Sequence, residues 1–205
     1  MLPLRDKTPK RRDITRDVSH WSDHKPDLRL DFNHRCGYCH SFDGFRHTYY
    51  EVDHFVPKSL FKITGVISLT QYDNLVYSCK FCNNNKLSKW PTNNENIHHD
   101  GIQGFIDPCN DEFDTHFYRT TEGAIMWRTD LGKWMYKEAF KFDEREKGIR
   151  LLWNLDKLKT LIFQLSEESN KLDKGSSDYK HINERIKEIK ETYYQYHHEL
   201  IEYYG

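Results

Sequence analysis

Two kinds of residue cluster in the first hundred positions have the types and spacing to do chemistry. Cys36-Gly-Tyr-Cys39 and Cys79-Lys-Phe-Cys82 are two CxxC turns. Each turn brings two thiolates close enough to share a tetrahedral ion, and the two together make a closed four-sulfur zinc site. Two unrelated buried pairs or a redox dithiol are the competing explanations, but a thioredoxin-like motif needs one pair in a βαβ context. Between the turns lies YYEVDHFVPKS, an apolar and aromatic run interrupted by Asp53-His54, and later come Asn74 and Asn83-Asn84-Asn85-Lys86. A neutral imidazole titrates near neutrality, so His54 can take a proton from water. Asp53 and Asn83 offer hard oxygen ligands, which suit Mg²⁺ or Mn²⁺ rather than a second zinc.

The order of these parts resembles the HNH endonuclease family. That family's motif runs CxxC, a DH followed by proline, an NL, then CxxCN with a lysine three residues on. Here these are Cys36 to Cys39, Asp53-His54 with Pro57, Asn74-Leu75, and Cys79 to Cys82 with Asn83 and Lys86. Each part alone is weak: Asn74 could cap a turn, and NNNK could be an ordinary helix start. Their joint order over about residues 33 to 90 is specific. The resemblance implies a ββα-metal core of two strands and a helix stapled by zinc. It implies His54 as general base, Asp53 and Asn83 on a catalytic metal, Asn74 positioning the loop and the base, and Lys86 meeting a substrate phosphate one helical turn after Asn83. Many relatives carry a histidine where this chain has Asn83, so which of the three asparagines meets the metal is open. The implied activity is hydrolysis of DNA phosphodiesters; the alternative is a catalytically silent zinc-stabilised module that binds nucleic acid or protein.

Around the motif four segments are expected: a basic arm over 1–30, the nuclease core over 31–92, a loop and hairpin extension over 93–136, and a helical region over 137–205. FYRTTEGAIMW has the pattern of a hairpin about a Thr-Glu-Gly turn. Leu151, Leu155, Leu158, Ile162, Leu165 and Leu172 form a helical stripe, and after LDKGSSD the residues Ile182, Ile186, Ile189, Tyr193, Tyr196, Leu200 and Tyr203 form a second. The expected class is α+β, an HNH core with a C-terminal antiparallel helical hairpin. Five tyrosines near the end exceed what one stripe can hide, so some could face a partner protein. A DP followed by an acidic stretch and HF, then Arg150-Leu151-Leu152-Trp153-Asn154-Leu155, loosely resembles stand-alone HNH proteins of Septu and retron-associated anti-phage systems. That resemblance implies work within a complex, with an ATPase subunit as the partner.

Composition bounds the rest. The chain has 205 residues, 37% hydrophobic and 31% charged, with 12 Phe, 13 Tyr and 5 Trp to supply buried area. Its net charge of −1 hides a mild basic bias in the first hundred residues and an acidic bias afterwards, so a DNA site must be a local patch. No apolar run suits a membrane span and the N-terminus lacks a signal-peptide centre, so the expected location is cytoplasmic, where cysteines bind metal more often than they pair. Lone Cys109 reads as an inert thiol, His98-His99-Asp100 as a polar loop cluster, and His34 and His40 as residues that cover the first zinc turn or contact phosphate.

Overall fold

The computed structural model describes residues 1–205. The chain divides into two compact units, Met1–Arg145 and Glu146–Gly205. In the first, a short helix α1 (Lys25–Asp31) precedes β1 (Tyr50–His54); α2 (Lys58–Thr64) and a loop lead to β2 (Leu75–Cys79), and α3 (Lys80–Lys86) follows β2 without a break. β1 and β2 pair antiparallel from Tyr50↔Cys79 to His54↔Leu75. This is the two-strand-and-helix core expected from the sequence, with the second cysteine turn forming the corner between β2 and α3.

β1 is a strand because its β-branched and aromatic residues pack well on a pleated surface, and it stops where Pro57 removes a ladder donor. β2 is buried along its whole length. Beneath both strands lies a core dominated by rings: Phe105 contacts Trp90, Trp134 and Phe140, and Phe140 in turn contacts Tyr38. The expected hairpin is present as β3 (Phe117–Arg119) and β4 (Ile125–Trp127), closed where Gly123 takes a positive φ of 82°. α4 (Asp130–Trp134) starts on a Thr129 side-chain cap and continues into a wider turn through Ala139.

The N-terminal arm is basic, yet two of its arginines face inward. Arg5 bonds Asp114 and the Pro108 and Gly37 carbonyls, and Arg11 bonds Asp107 and the Leu75 carbonyl. Arg12 is bound to Asp31. These side chains stitch the arm to the core, and the inward-facing Arg5 and Arg11 are each neutralised by a carboxylate, as buried charge requires.

The second unit is the antiparallel pair α5 (Lys147–Ser169) and α6 (Ser177–Tyr204), joined by a turn that ends on a Ser176 cap. Leu151, Leu152, Trp153 and Leu155 are buried on α5 and Ile186 on α6. Tyr194 and Tyr204 stay more than half exposed, so the seam does not use every tyrosine of the last helix.

Candidate active site and metal centres

The four cysteines converge. Their sulfurs all lie within 4.8 Å of one another, and Cys39 Sγ is 3.8 Å from Cys79 Sγ. Zn–S bonds of about 2.3 Å in a tetrahedron put sulfurs about 3.8 Å apart, so the spacing fits zinc. All four residues are buried. Two features of the first turn make this possible. A Cβ on Gly37 would sit 2.7 Å from the Phe32 ring and 2.8 Å from Val76, so only glycine lets the turn approach β2. Gly37 N–H also donates to the Tyr77 carbonyl. The Arg145 guanidinium approaches Cys82 Sγ at 3.5 Å and Cys79 Sγ at 3.7 Å, placing positive charge beside a set of thiolates.

Tyr38, inside the same cysteine turn, is fully buried and its hydroxyl donates to Asp53 Oδ2 at 2.6 Å. The first cysteine turn is thereby wired to the acid of the Asp-His pair. Burial and the facing Asp53 carboxylate push the Tyr38 phenol well above its ordinary range, so it remains a donor. Lys86 completes the arrangement from below. It was expected at a substrate phosphate, but its side chain is wholly buried, with Nζ 3.1 Å from Asp53 Oδ2 and donating to the His54 carbonyl at 2.7 Å. The physical reason is charge: a carboxylate taken from water needs a cation, and the helix position facing β1 supplies it. Both contacts to Asp53 fall on Oδ2, which leaves Oδ1 free.

His54 is the last residue of β1, directly after Asp53. Its Nε2 lies 2.8 Å from the Leu69 carbonyl. A carbonyl only accepts, so Nε2 carries the hydrogen and Nδ1 holds the lone pair of the neutral ring. The ring is packed between Trp21 and Phe61, at 5.4 and 5.5 Å between centroids. Neither His54 Nδ1 nor Asp53 Oδ1 is among the protein's sealed, partnerless polar atoms, so both keep contact with solvent. Burial is the main cause that lowers the His54 pKa; Lys58 and Lys86 act in the same direction, while the Leu69 bond and Asp53 oppose it.

Asn74 is buried and bonds one residue with both ends of its amide: Oδ1 accepts from Val56 N–H at 2.8 Å and Nδ2 donates to the Val56 carbonyl at 3.1 Å. With Phe55 N–H donating to the Asn74 carbonyl, the chain just past His54 is clamped to the start of β2. The three asparagines of α3 differ. Asn83 Nδ2 donates to Glu51 Oε2 at 2.6 Å, Asn85 Nδ2 donates back to the Phe81 carbonyl, and Asn84 is exposed. Asn83 alone of the three meets a side chain of β1. The donor set of Asp53 and Asn83 is all oxygen, which fits a hard divalent ion.

Other marked residues lie elsewhere. Burial raises the Cys109 thiol to about 12, as suits an inert cysteine. His98 packs edge-on against Phe55 and Trp90, while Asp100 Oδ1 accepts from two backbone amides of its own turn, so that cluster is built into loop structure. His116 Nδ1 is held by Thr129 Oγ1 at 2.6 Å. Sequence reasoning missed Tyr38, Glu51 and the Leu69 carbonyl. Only the first two were open to it, through the i, i+2 face of β1 and the one large residue inside the CGYC turn.

The family model described as HNH endonuclease matches residues 36–89. The Septu protein PtuB of Bacillus mycoides (strain KBAB4) is 30% identical over 118 residues, spanning 49% of this chain and 40% of that protein. No solved structure matches. No helix is long and apolar enough to cross a membrane. The part of the chain that matches the HNH endonuclease family, residues 36–89, thus runs from the first cysteine turn through β1 and β2 to just past α3.

Proposed function

We propose that this chain is a metal-dependent endonuclease that hydrolyses DNA phosphodiester bonds in anti-phage defence, working as part of a complex with an ATPase subunit. The observation that carries the proposal is His54: a ring locked by the Leu69 carbonyl into the tautomer whose Nδ1 can accept a proton, one residue from a carboxylate with a free oxygen.

Water is a poor nucleophile until it loses a proton, and phosphodiester hydrolysis also needs charge neutralised on the phosphoryl oxygens and the leaving alkoxide. His54 Nδ1 takes the proton from the attacking water, and packing against Trp21 and Phe61 keeps the ring aimed. The lowered pKa keeps the ring neutral, and so ready to act, at physiological pH. Asp53 Oδ1 and Asn83 Oδ1 are the residues to hold Mg²⁺ or Mn²⁺, which supplies the charge neutralisation when bound. Asn74 fixes the loop that follows the base. Tyr38 and Lys86 hold the Asp53 carboxylate by Oδ2, so its free oxygen has one direction. The zinc cluster holds Tyr38 and α3 in place; it takes no part in the bond breaking.

The test is conversion of supercoiled plasmid to nicked or linear product by the zinc-loaded chain with Mg²⁺ or Mn²⁺, alone and with the product of a neighbouring ATPase gene. Metal-dependent cutting in either format supports the proposal. Tight DNA binding with no cutting in both formats would instead establish the silent binding module.

A further inference from the structure

Glu51 stands two residues before Asp53 on β1, so both side chains leave the face that α3 crosses. It is half-buried, and its polar partner is an amide rather than a cation. A half-buried carboxylate facing no positive charge is costly if its only task is to hold a helix against a strand. The chemistry of the pair explains the choice. An ionised carboxylate can only accept, so the Asn83 amide must turn its NH₂ toward Glu51 and its Oδ1 away. The reversed amide would set oxygen against oxygen at 2.6 Å.

We propose that Glu51 is the positioning residue for Asn83: it fixes the amide so that Oδ1 is offered to the catalytic divalent ion. This rests on the nuclease proposal above and deepens it. It also selects Asn83 from the three adjacent asparagines, because Asn85 spends its amide on its own helix and Asn84 reaches no β1 side chain. Glu51 touches neither the reacting atoms nor the ion; it acts through Asn83, as outer partners of metal ligands commonly do.

The experiment measures Mn²⁺ binding to the zinc-loaded full chain by the paramagnetic resonance of free Mn²⁺, with zinc content and melting temperature recorded for every variant. Loss of an outer partner typically weakens metal binding about 10–100-fold, and that is the effect expected of Glu51→Ala. Glu51→Gln should bind close to wild type, since its Oε1 can still accept from Asn83. Asn83→Asp should bind poorly, because two carboxylates then face each other. The pair Glu51→Gln with Asn83→Asp should recover binding, because the glutamine amide now donates to the new carboxylate. A role confined to fold stability would lower the melting temperature without this reciprocal rescue. Unchanged Mn²⁺ affinity in folded Glu51→Ala, or no recovery in the paired variant, overturns the proposal, and the paired variant decides the matter if Glu51→Ala does not fold. A wild-type chain that cuts and binds Mn²⁺ while the Glu51 variants behave alike sinks this inference alone; a wild-type chain that does neither, with or without its partner, sinks the nuclease proposal itself.

Discussion

The Tyr38 hydroxyl donates a 2.6 Å hydrogen bond to Asp53 Oδ2, joining the interior of a zinc turn to the acid of the Asp-His pair. The four-cysteine cluster and the candidate catalytic site are therefore neighbours through one side chain. Tyr38→Phe keeps the ring and removes only the donor. A hydrogen bond to a charged group contributes about 1.5–3 kcal/mol, and urea unfolding should report a loss of that size. Zinc content should not change, while cleavage should fall because Asp53 can rotate. Equal stability and activity in Tyr38→Phe would remove this link.

Lys86 supplies a second prediction. Lys86→Met leaves Asp53 as a buried charge without its cation, and breaking such a pair typically costs about 3–5 kcal/mol. Thermal or urea unfolding should show that loss. A lysine bound to phosphate would behave otherwise: its removal lowers the salt slope of DNA binding by about one. The buried geometry predicts no change in that slope for Lys86→Met, measured on protein kept folded by low temperature.

The lowered pKa of His54 gives a pH dependence of definite sign. Its folded value lies below the ordinary imidazole value of about 6.5, so the unfolded chain binds this proton more readily. The stability linked to His54 is fully present above that ordinary value and is lost as pH falls through the folded one. For catalysis the base must be neutral, so kcat/KM should be flat through neutral pH and fall only in acid, with an inflection below about 6.5. An inflection above neutrality would mean that another group limits the rate.

Zinc removal should unfold the first unit. Without the ion the four buried cysteines lose the bonds that cross-link the two turns, and in small metal-bound units the binding free energy is folding free energy. A chelator applied under reducing conditions should abolish the near-ultraviolet signal of the ring-rich core, and added zinc should restore it. Cys109→Ser, outside the cluster, should leave zinc content at the wild-type value.

The legibility of the fold varied with how local the cause was. The cysteine turns and both hairpins follow from spacing and turn chemistry, the β2–α3 corner from the family resemblance, and the structure has them. The ordered motif singled out Asp53, His54 and Asn83, which the structure sets on β1 and α3. Lys86 did not: a lysine one turn after Asn83 looks equally suited to solvent and to the strand beneath, and only the packing of α3 on β1 shows that it faces the buried carboxylate. The basic arm shows the same limit, since the distant partners of Arg5 and Arg11, Asp114 and Asp107, are brought close only by the fold. The Leu69 carbonyl that orients His54 could not be read at all, because any residue there offers the same backbone oxygen.

The account turns on His54 as the proton acceptor, and single-turnover cleavage of plasmid by His54→Ala tests it most directly, using the zinc-loaded protein in whichever format makes the wild type active. The predicted result is loss of cutting of at least about 100-fold, the usual minimum contribution of a positioned base, with zinc content and DNA affinity retained. Cutting by folded His54→Ala at the wild-type rate would contradict the assignment and, with it, the role given to Nδ1.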